Sequence, residues 1–401
     1  MWITRHAYVL FFMVIFVAVA VVADEKRSYR LNAYVTDWAL PKRIAWNKLD
    51  HVLYAFAVPD RNGQLGQFDG RQLQKVVNEA HANRKAASLS VGGWTGSVYF
   101  SSLIRTPASR NLFANNLLIL VKKYNLDGLN LDWEYPNADN GVSCNQKHPR
   151  DTENLLAFVQ LLRSKLNKLY PHKHKAITVA VASQVFNDGN KKPSKRLSQG
   201  WATAVDAFYV MAYDLRGTWD TTTGPNAPLR SGKPGMTTAA SAMQAWAAAG
   251  IPHHQLVLGV PFYGYVTRTD PTARATTSME IRLAADKVQI AGDEHDSQEK
   301  EPCHGASRGV YSGEYQWRSI KRDGILTNGR GWHSVWDRTT RTPYSVNRVQ
   351  HKFLTFDDPK SLHAKAEFVE DNEFGGIMLW SLEMDDNENS LLNALQSVRE
   401  D

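Results

Sequence analysis

The sequence predicts an α/β fold, a (β/α)8 TIM barrel with a small α+β insertion domain between its seventh and eighth strands. Three observations predict it: a chain of 401 residues with 43% apolar content, short apolar runs that alternate with helix-like segments, and one long interruption of that alternation. A chain of this length can bury one large core, and strands that alternate with helices pair in parallel.

The first 23 residues are typical of a secretory signal. A basic start at Arg5 is followed by an apolar run from Ala7 to Val22 and by the small residue Ala23. A membrane anchor is the alternative, but this run is shorter than the about 20 residues that a spanning helix needs. We therefore expect a mature chain that is secreted, extracellular or held in a cell wall, without stable membrane association.

Eight apolar runs predict the barrel strands. In order they are RLNAYVTDW, HVLYAFAV, AASLSVGGW, LDGLNLDWE, AITVAVAS, DAFYVMAYD, QLVLGVPFYG and FGGIMLWSL. Helical periodicity follows several of them, in GRQLQKVVNEAH, RNLFANNLLILVKKY, TENLLAFVQLLRSKLNKLY and TAASAMQAWAAAG. Residues 24–264 and 357–401 are therefore expected to form the barrel.

The alternation stops between Tyr265 and Phe356. There the segments SGEYQWRSI, GWHSVWDRT and TPYSV alternate polar with apolar residues and carry turn residues, which is typical of a small β module. A long irregular loop is the alternative, but loops of this length are uncommon. We expect residues 265–356 to form an insertion domain that makes one wall of a cleft.

Several classes of function are disfavoured by what the sequence lacks. The net charge is +7, yet no Lys/Arg run with interleaved aromatic residues suggests nucleic-acid binding. The 13 His residues form no HExxH motif, so no zinc site is predicted, and no cofactor is expected. Ser90 is not expected to be a nucleophile, because no serine-hydrolase motif accompanies it.

The two cysteines, Cys144 and Cys303, are too few and too far apart for a local metal site. In an oxidising compartment one disulfide between them is the first interpretation, and two free thiols are the alternative. The sequence cannot decide between these, because a bridge depends on whether the two Cβ atoms meet in space.

The stretch DGLNLDWEYP carries the clearest chemistry. In a strand, Asn130, Asp132 and Glu134 share one face, while Leu131 and Trp133 lie on the other. In a barrel the shared face is the interior, and Glu134 lies at the carboxyl end, where such enzymes keep their active sites. An inner carboxylate raises the pKa of an outer one, which suits a general acid. A solvated Asp/Glu pair at a strand end is the alternative.

This stretch resembles the DGxDxDxE signature of family 18 glycoside hydrolases, the chitinases, with Asn130 at the position of the middle Asp. Asp127, Gly128, Asp132 and Glu134 are in register with that signature. SLSVGGW resembles the family's SxGGW strand, MAYDL its sixth strand, and GGIMLWSLEMDD its last. GPNAPL and GVPFYGY look most like fungal class V chitinases. The motif residues expected to shape the site are Asp127, Gly128, Asn130, Ser90, Gly92 and Gly93.

The resemblance implies substrate-assisted, retaining hydrolysis without an enzymic nucleophile. Glu134 would be the general acid and base, Asp132 would orient the 2-acetamido group, and Tyr213 would hold its oxygen. The implied substrate-binding residues are Trp380, Trp94, Asp214, Trp219, Tyr54, Phe56, Tyr263 and Met211. Tyr54 and Phe56 are expected to share a face and fill the barrel beneath the sugar. Core packing is the alternative for the aromatic residues, and a helix cap for Asp214.

The function predicted from the resemblance is a chitinase, endo- or exo-acting and monomeric, that cleaves β-1,4 N-acetylglucosamine links in chitin and its oligosaccharides. Because Asn130 replaces a family carboxylate, a chitin-oligosaccharide-binding lectin with weak or no catalysis is the alternative. An endo-β-N-acetylglucosaminidase uses related chemistry but usually lacks the insertion. The presence of Glu134 favours the chitinase.

Overall fold

The structure is a computed structural model that describes residues 30–231, 233–272, 279–285, 288–298, 300–305 and 309–399. The predicted secretory signal, residues 1–23, lies outside the described residues. Within these ranges, no helix combines the length and the apolar character that crossing a membrane requires.

The strands of the described residues form two sheets. In chain order they are β1 (Leu31–Thr36), β2 (His51–Pro59), β3 (Leu65–Gly66), β4 (Ala86–Gly92), β5 (Gly128–Asp132), β6 (Ala176–Ala182), β7 (Ala207–Met211), β8 (Leu256–Pro261), β9 (Tyr263–Arg268), β10 (Glu314–Gln316), β11 (Trp332–Asp337), β12 (Thr342–Asn347), β13 (Lys352–Thr355) and β14 (Gly376–Trp380). In the first sheet, β1-β2-β4-β5-β6-β7-β8-β14 pair in parallel and close back on β1, and the short β3 adds antiparallel to β2. The predicted (β/α)8 barrel is confirmed.

Helices surround the barrel and bury apolar stripes against it. They are α1 (Gly70–Ala82), α2 (Phe100–Arg105), α3 (Pro107–Tyr124), α4 (Asp151–Leu169), α5 (Gly200–Ala204), α6 (Ala239–Ala248), α8 (Pro359–Asp371) and α9 (Ser390–Ala394), whereas α7 (Trp317–Arg322) belongs to the insertion. In α4 the buried residues Leu155, Phe158, Val159, Leu162 and Leu166 recur at helical spacing. Thr106 begins α3 with a capping box and a following proline, which supply partners and backbone geometry for its first turn.

The second sheet is antiparallel, with the order β10-β9-β13-β12-β11. It spans residues 263–355, which is close to the predicted 265–356. One residue, Phe262, separates β8 from β9, so the insertion continues directly from the barrel mouth. Gly264 lets β9 lie close to β13. A Cβ at this position would lie 1.7 Å from the Thr355 carbonyl oxygen, so a larger residue would not fit.

The barrel interior contains a buried polar layer near its floor. His51 Nε2 lies 2.7 Å from Ser88 Oγ, and His51 Nδ1 lies 3.2 Å from Asn32 Oδ1. Tyr209 donates to the same Asn32 oxygen at 3.0 Å. These contacts satisfy polar groups that strands β1, β2, β4 and β7 bring to the barrel axis.

The prediction that Tyr54 and Phe56 share a face of β2 is wrong. Tyr54 is fully buried in the layer between the barrel and its helices, and its hydroxyl donates to the Asp69 carbonyl at 3.1 Å. Phe56 instead packs in the interior cluster with Tyr34 and Trp380. The β2–β4 register shifts between Tyr54 and Ala57, which interrupts the simple alternation of faces.

Candidate active site

Strand β5 places the residues of DGLNLDWEYP as strand alternation predicts. Asn130 and Asp132 lie in the barrel interior, where both are buried. Leu131 and Trp133 lie on the outer side, and Trp133 stacks on Phe100 with ring centroids 5.4 Å apart. The inner face of β5 therefore carries the acidic groups toward the barrel mouth, while the apolar residues of its outer face hold the strand in place by packing.

The amide of Asn130 is fully hydrogen-bonded. Its Nδ2 donates to Tyr34 Oη at 2.7 Å and to Ser90 Oγ at 2.8 Å, and its Oδ1 accepts from Thr178 Oγ1 at 2.8 Å. Tyr34 in turn donates to Asp132 Oδ2 at 2.8 Å. Asn130 thus connects to Asp132 through the phenol.

Asp132 is 3% exposed, and only one of its carboxylate oxygens has a partner within the described residues. Its Oδ1 is buried without a hydrogen bond there. Burial raises the pKa of Asp132 to about 7, while the Tyr34 hydrogen bond opposes that rise. A buried carboxylate oxygen without a donor is suited to accept an N–H from a bound molecule.

Glu134 is partly exposed, just beyond the end of β5. Burial, and then the charge of Asp132, raise the pKa of Glu134 well above its usual range, while a hydrogen bond with Tyr135 lowers it. Such a carboxyl keeps its proton to higher pH than an ordinary glutamate does. It can therefore give a proton to a leaving oxygen.

Tyr213 and Asp214 follow β7 at the same mouth. Burial, and then the charges of Asp132, Asp214 and Glu134, raise the pKa of Tyr213, so its phenol keeps its proton. Asp214 Oδ1 accepts from Tyr263 Oη at 2.6 Å and from Tyr265 Oη at 2.9 Å. Asp214 does not cap a helix, since α6 begins only at Ala239. It connects the barrel to the first strand of the insertion.

Aromatic rings form a continuous surface beside these polar groups. Trp380 stacks on Phe56 with centroids 5.6 Å apart and lies 5.1 Å from the Tyr34 ring. Trp38 is 65% exposed and lies 6.4 Å from Phe56 and 6.5 Å from Trp380. Such rings can pack on the apolar C–H faces of sugars.

Trp94 and Trp219 are also exposed. Trp94, which follows β4, is 43% exposed, and Trp219 is 60% exposed, with its ring 6.5 Å from that of Tyr265. Neither residue fills the core, so the core-packing alternative is wrong for both.

A model of the Glycosyl hydrolases family 18 matches residues 30–385, which is most of the chain. The chain belongs to glycosyl hydrolase family 18. Among solved structures, a chitinase from Rhizomucor miehei is 49% identical and has a TM-score of 0.88, with 92% of this chain and 100% of that chain covered. The fold and the family are those of a glycoside hydrolase.

Two curated relatives agree with this membership of family 18. A chitinase-like effector of Moniliophthora roreri is 32% identical over 370 residues, which cover 87% of this chain and 88% of that protein. Chitinase A1 of Niallia circulans is 31% identical over 338 residues, which cover 81% of this chain and 44% of that protein.

Among the remaining family 18 motif residues, Asp127, Gly92 and Gly93 lie at or next to the ends of β4 and β5, and Met211, an implied substrate-binding residue, ends β7. Asp127 lies at the opposite end of β5. Its Oδ2 accepts from the Ala87 N–H at 3.1 Å and lies 2.7 Å from His81 Nε2. Gly92 and Gly93 have positive φ; a Cβ at Gly92 would lie 2.2 Å from the Asp132 carbonyl oxygen. Met211 is 9% exposed in the interior cluster. These residues shape the strand ends on which the acids are carried.

Cys144 and Cys303 form a disulfide with their Cα atoms 5.5 Å apart. The bridge connects the loop after β5 to the insertion. Within the described ranges, no group of three or more His, Cys, Asp or Glu residues is arranged to hold a metal ion.

Some residues at the mouth were not predicted from the sequence. Tyr34 and Tyr135 hydrogen-bond to Asp132 and Glu134, and Trp38 lies beside Phe56 and Trp380. Tyr265 and Glu314 approach Asp214 from the insertion. Burial raises the pKa of Glu314 to about 8. The position of Trp38 just after the first strand was an available signal, because such ends face the mouth. Tyr265 ends the GVPFYGY motif, which was also an available signal, whereas nothing local marked Glu314, whose approach depends on tertiary packing.

Proposed function

We propose that this protein is a chitinase that hydrolyses β-1,4 N-acetylglucosamine links by a substrate-assisted, retaining mechanism. The proposal is carried by Asp132 Oδ1, which is buried without a hydrogen bond in the part of the chain that the structure describes, together with Glu134, whose pKa is raised by burial and then by the charge of Asp132. An acceptor and a proton donor are the two groups that such a mechanism requires of the enzyme, because the nucleophile belongs to the substrate. The similarity to a fungal chitinase at 49% identity supports the proposal.

In the first step, Glu134 transfers its proton to the glycosidic oxygen while the bond between that oxygen and C1 breaks. The carbonyl oxygen of the 2-acetamido group attacks C1 and forms an oxazolinium ion. Asp132 accepts the acetamido N–H at its free Oδ1 and stabilises the positive charge. Tyr213 donates to the acetamido oxygen and orients it.

In the second step, the ionised Glu134 takes a proton from water, and the resulting hydroxide attacks C1. The oxazolinium ring opens and the acetamido group is restored. Because two displacements occur at C1, the configuration there is retained. Trp380 and Phe56 would support the sugar ring from below, and Trp38, Trp94 and Trp219 would extend the cleft.

We further propose that the enzyme acts outside the cell as a monomer on chitin and its oligosaccharides. The signal-like character of residues 1–23 supports export. The Cys144–Cys303 disulfide is also typical of proteins that mature in oxidising compartments.

The first experiment compares wild type with Glu134→Gln for release of chitobiose from chitotetraose between about pH 3 and 9. We expect activity in wild type and a loss of at least about 10²-fold in Glu134→Gln, because the amide cannot donate the acid proton. Glu153→Gln, an exposed residue of α4, is the matched control and should retain full activity.

A lectin that binds chitin oligosaccharides is the second candidate. Two observations favour it: Asn130 in place of the family's middle acid, and a 32% identical relative named a chitinase-like effector. Wild type that binds chitotetraose but releases no more product than Glu134→Gln would establish the lectin and contradict the chitinase.

A further inference from the structure

We propose that Ser97, Asn145 and the Cys144–Cys303 disulfide form a backbone clamp that positions the catalytic Glu134 and thereby controls its proton transfer. The proposal rests on the proposed function. It assigns Ser97 and Asn145 as positioning residues, since both act through Glu134 rather than on substrate. It also gives the insertion a role in placing the acid, in addition to forming a wall of the cleft.

Ser97 holds the amide side of Glu134. It is fully buried, and its Oγ accepts the Glu134 N–H at 2.9 Å and donates to the Gly93 carbonyl at 2.8 Å. The Gly93 N–H donates to the Asp132 carbonyl at 2.8 Å. Ser97 therefore connects the end of β4 to the end of β5, at the point where the chain carries both acids.

Asn145 holds the carbonyl side. Its Nδ2 donates to the Glu134 carbonyl at 2.6 Å, and the residue is 7% exposed. Gly141 packs on the same carbonyl, because a Cβ there would lie 2.2 Å from its oxygen. Side chains thus hydrogen-bond to both the N–H and the carbonyl of Glu134. In a helix or strand, other backbone groups would make these two hydrogen bonds.

The loop that carries Asn145 has no helix or strand between the end of β5 and the start of α4. It is fixed instead by contacts on both sides of Asn145. The Gln146 N–H donates to the Val98 carbonyl at 3.0 Å, next to Ser97. Cys144 is bonded to Cys303, so the insertion anchors the loop covalently. A covalent anchor one residue from Asn145 restricts the positions that its side chain can adopt.

The clamp matters because Glu134 functions beside Asp132. Both the proton donation and the raised pKa of Glu134 depend on its largely buried place near Asp132. A displacement of about 1 Å at a reacting group can cost about 10²-fold in rate. Release of the backbone would let the carboxyl turn toward water, where its pKa would fall.

The experiment compares Asn145→Ala and the double variant Cys144→Ser/Cys303→Ser with wild type on chitotetraose. We expect kcat to fall by about 10-fold to 10²-fold in Asn145→Ala and by a smaller factor in the double variant. KM should stay within about twofold, since the sugar contacts are intact. The basic limb of the kcat/KM pH profile should move to lower pH, because it reports the ionisation of Glu134.

Lys147→Gln is the matched control, because Lys147 lies in the same loop and its ammonium pairs with Asp139 rather than with Glu134 or the disulfide. It should match wild type in kcat and pH profile. If Asn145→Ala also matches wild type in both, the clamp is refuted. If kcat falls only together with a large loss of Tm and an unchanged pH profile, the role is folding and the proposal is wrong.

Failure of the proposed function would be visible separately, as wild type that cleaves nothing. The clamp is then judged by NMR titration of the Glu134 side chain in protein labelled with ¹³C-glutamate, assigned with Glu134→Gln. A lower pKa in Asn145→Ala than in wild type supports the clamp, and equal titration curves overturn it.

Discussion

At the scale of single residues, the amide of Asn130 decides which way the phenolic proton of Tyr34 points. The amide donates to Tyr34 Oη at 2.7 Å, so the single phenolic proton is directed at Asp132, 2.8 Å away. A carboxylate at position 130 would compete for that proton and place a second negative charge beneath Asp132. Asn130 therefore favours the ionised form of Asp132, against the burial that raises its pKa.

Asn130→Asp is expected to move the acid limb of kcat/KM to higher pH by about 1 unit. The physical reason is that a second buried carboxylate and the loss of the Tyr34 proton both raise the pKa of Asp132, which in the proposed mechanism accepts the acetamido N–H in its ionised form. The measurement is a pH–rate profile on chitotetraose. Ser88→Ala is the control, because Ser88 lies one layer below Asn130 in the barrel and contacts His51 rather than Tyr34 or Asp132. An acid limb that stays in place or moves to lower pH would contradict this role of Asn130.

At the scale of elements, α8 is fixed to the segment that precedes it by a buried ion pair. Lys365, in the middle of α8, pairs with Asp357, which lies between β13 and α8; their side chains are 1% and 0% exposed. Burial lowers the pKa of Lys365, while the charge of Asp357 raises it. Burying either charge alone would be costly, because it would lose its hydration. In the pair, the attraction between the two charges offsets that loss.

Lys365→Met is expected to destabilise the protein by about 3–5 kcal/mol, since the substitution removes the cation beside the buried Asp357 and leaves the Ser361 hydroxyl as a donor to it. Urea denaturation at pH 7 measures the change. Lys360→Met on the same helix is the control; Lys360 lies over the Trp336 ring, and its loss should cost no more than about 1 kcal/mol. Equal midpoints for the two variants would show that the buried pair contributes no more than an exposed contact.

At the scale of the whole molecule, the polar floor of the barrel couples stability to pH. Burial lowers the pKa of His51 to about 4, although the charges of Asp127 and Asp50 oppose this shift. The unfolded chain, with a His pKa of about 6.5, binds a proton first as the pH falls. Stability contributed by the neutral His51 is therefore complete above about pH 6.5 and is lost as the pH falls toward about 4.

His51→Gln is expected to weaken this acid sensitivity. Between about pH 7.5 and 4.5, wild type should lose on the order of 2–3 kcal/mol more unfolding free energy than the variant. Urea midpoints at the two pH values measure the difference. His254→Gln, at an exposed residue just before β8, should follow the wild-type trend. Parallel losses in wild type and His51→Gln would exclude His51 as the titrating group.

The sequence by itself determined the barrel, its insertion and the order of the site motifs. Eight apolar runs separated by helical periodicity admit few other folds, and strand alternation was sufficient to bring Asn130 and Asp132 to the interior of β5. These features are local, because each depends on the spacing of residues within one segment.

Only the tertiary structure decided how distant segments meet. Tyr54 faces outward, and after the register shift in β2 Phe56 faces inward. No residue pattern within that strand predicts the shift. The insertion brings Tyr263 and Tyr265 to Asp214, and Cys303 to Cys144 across 159 positions of the chain. Contacts of this kind depend on how the chain closes in space, which side-chain periodicity within a segment does not encode.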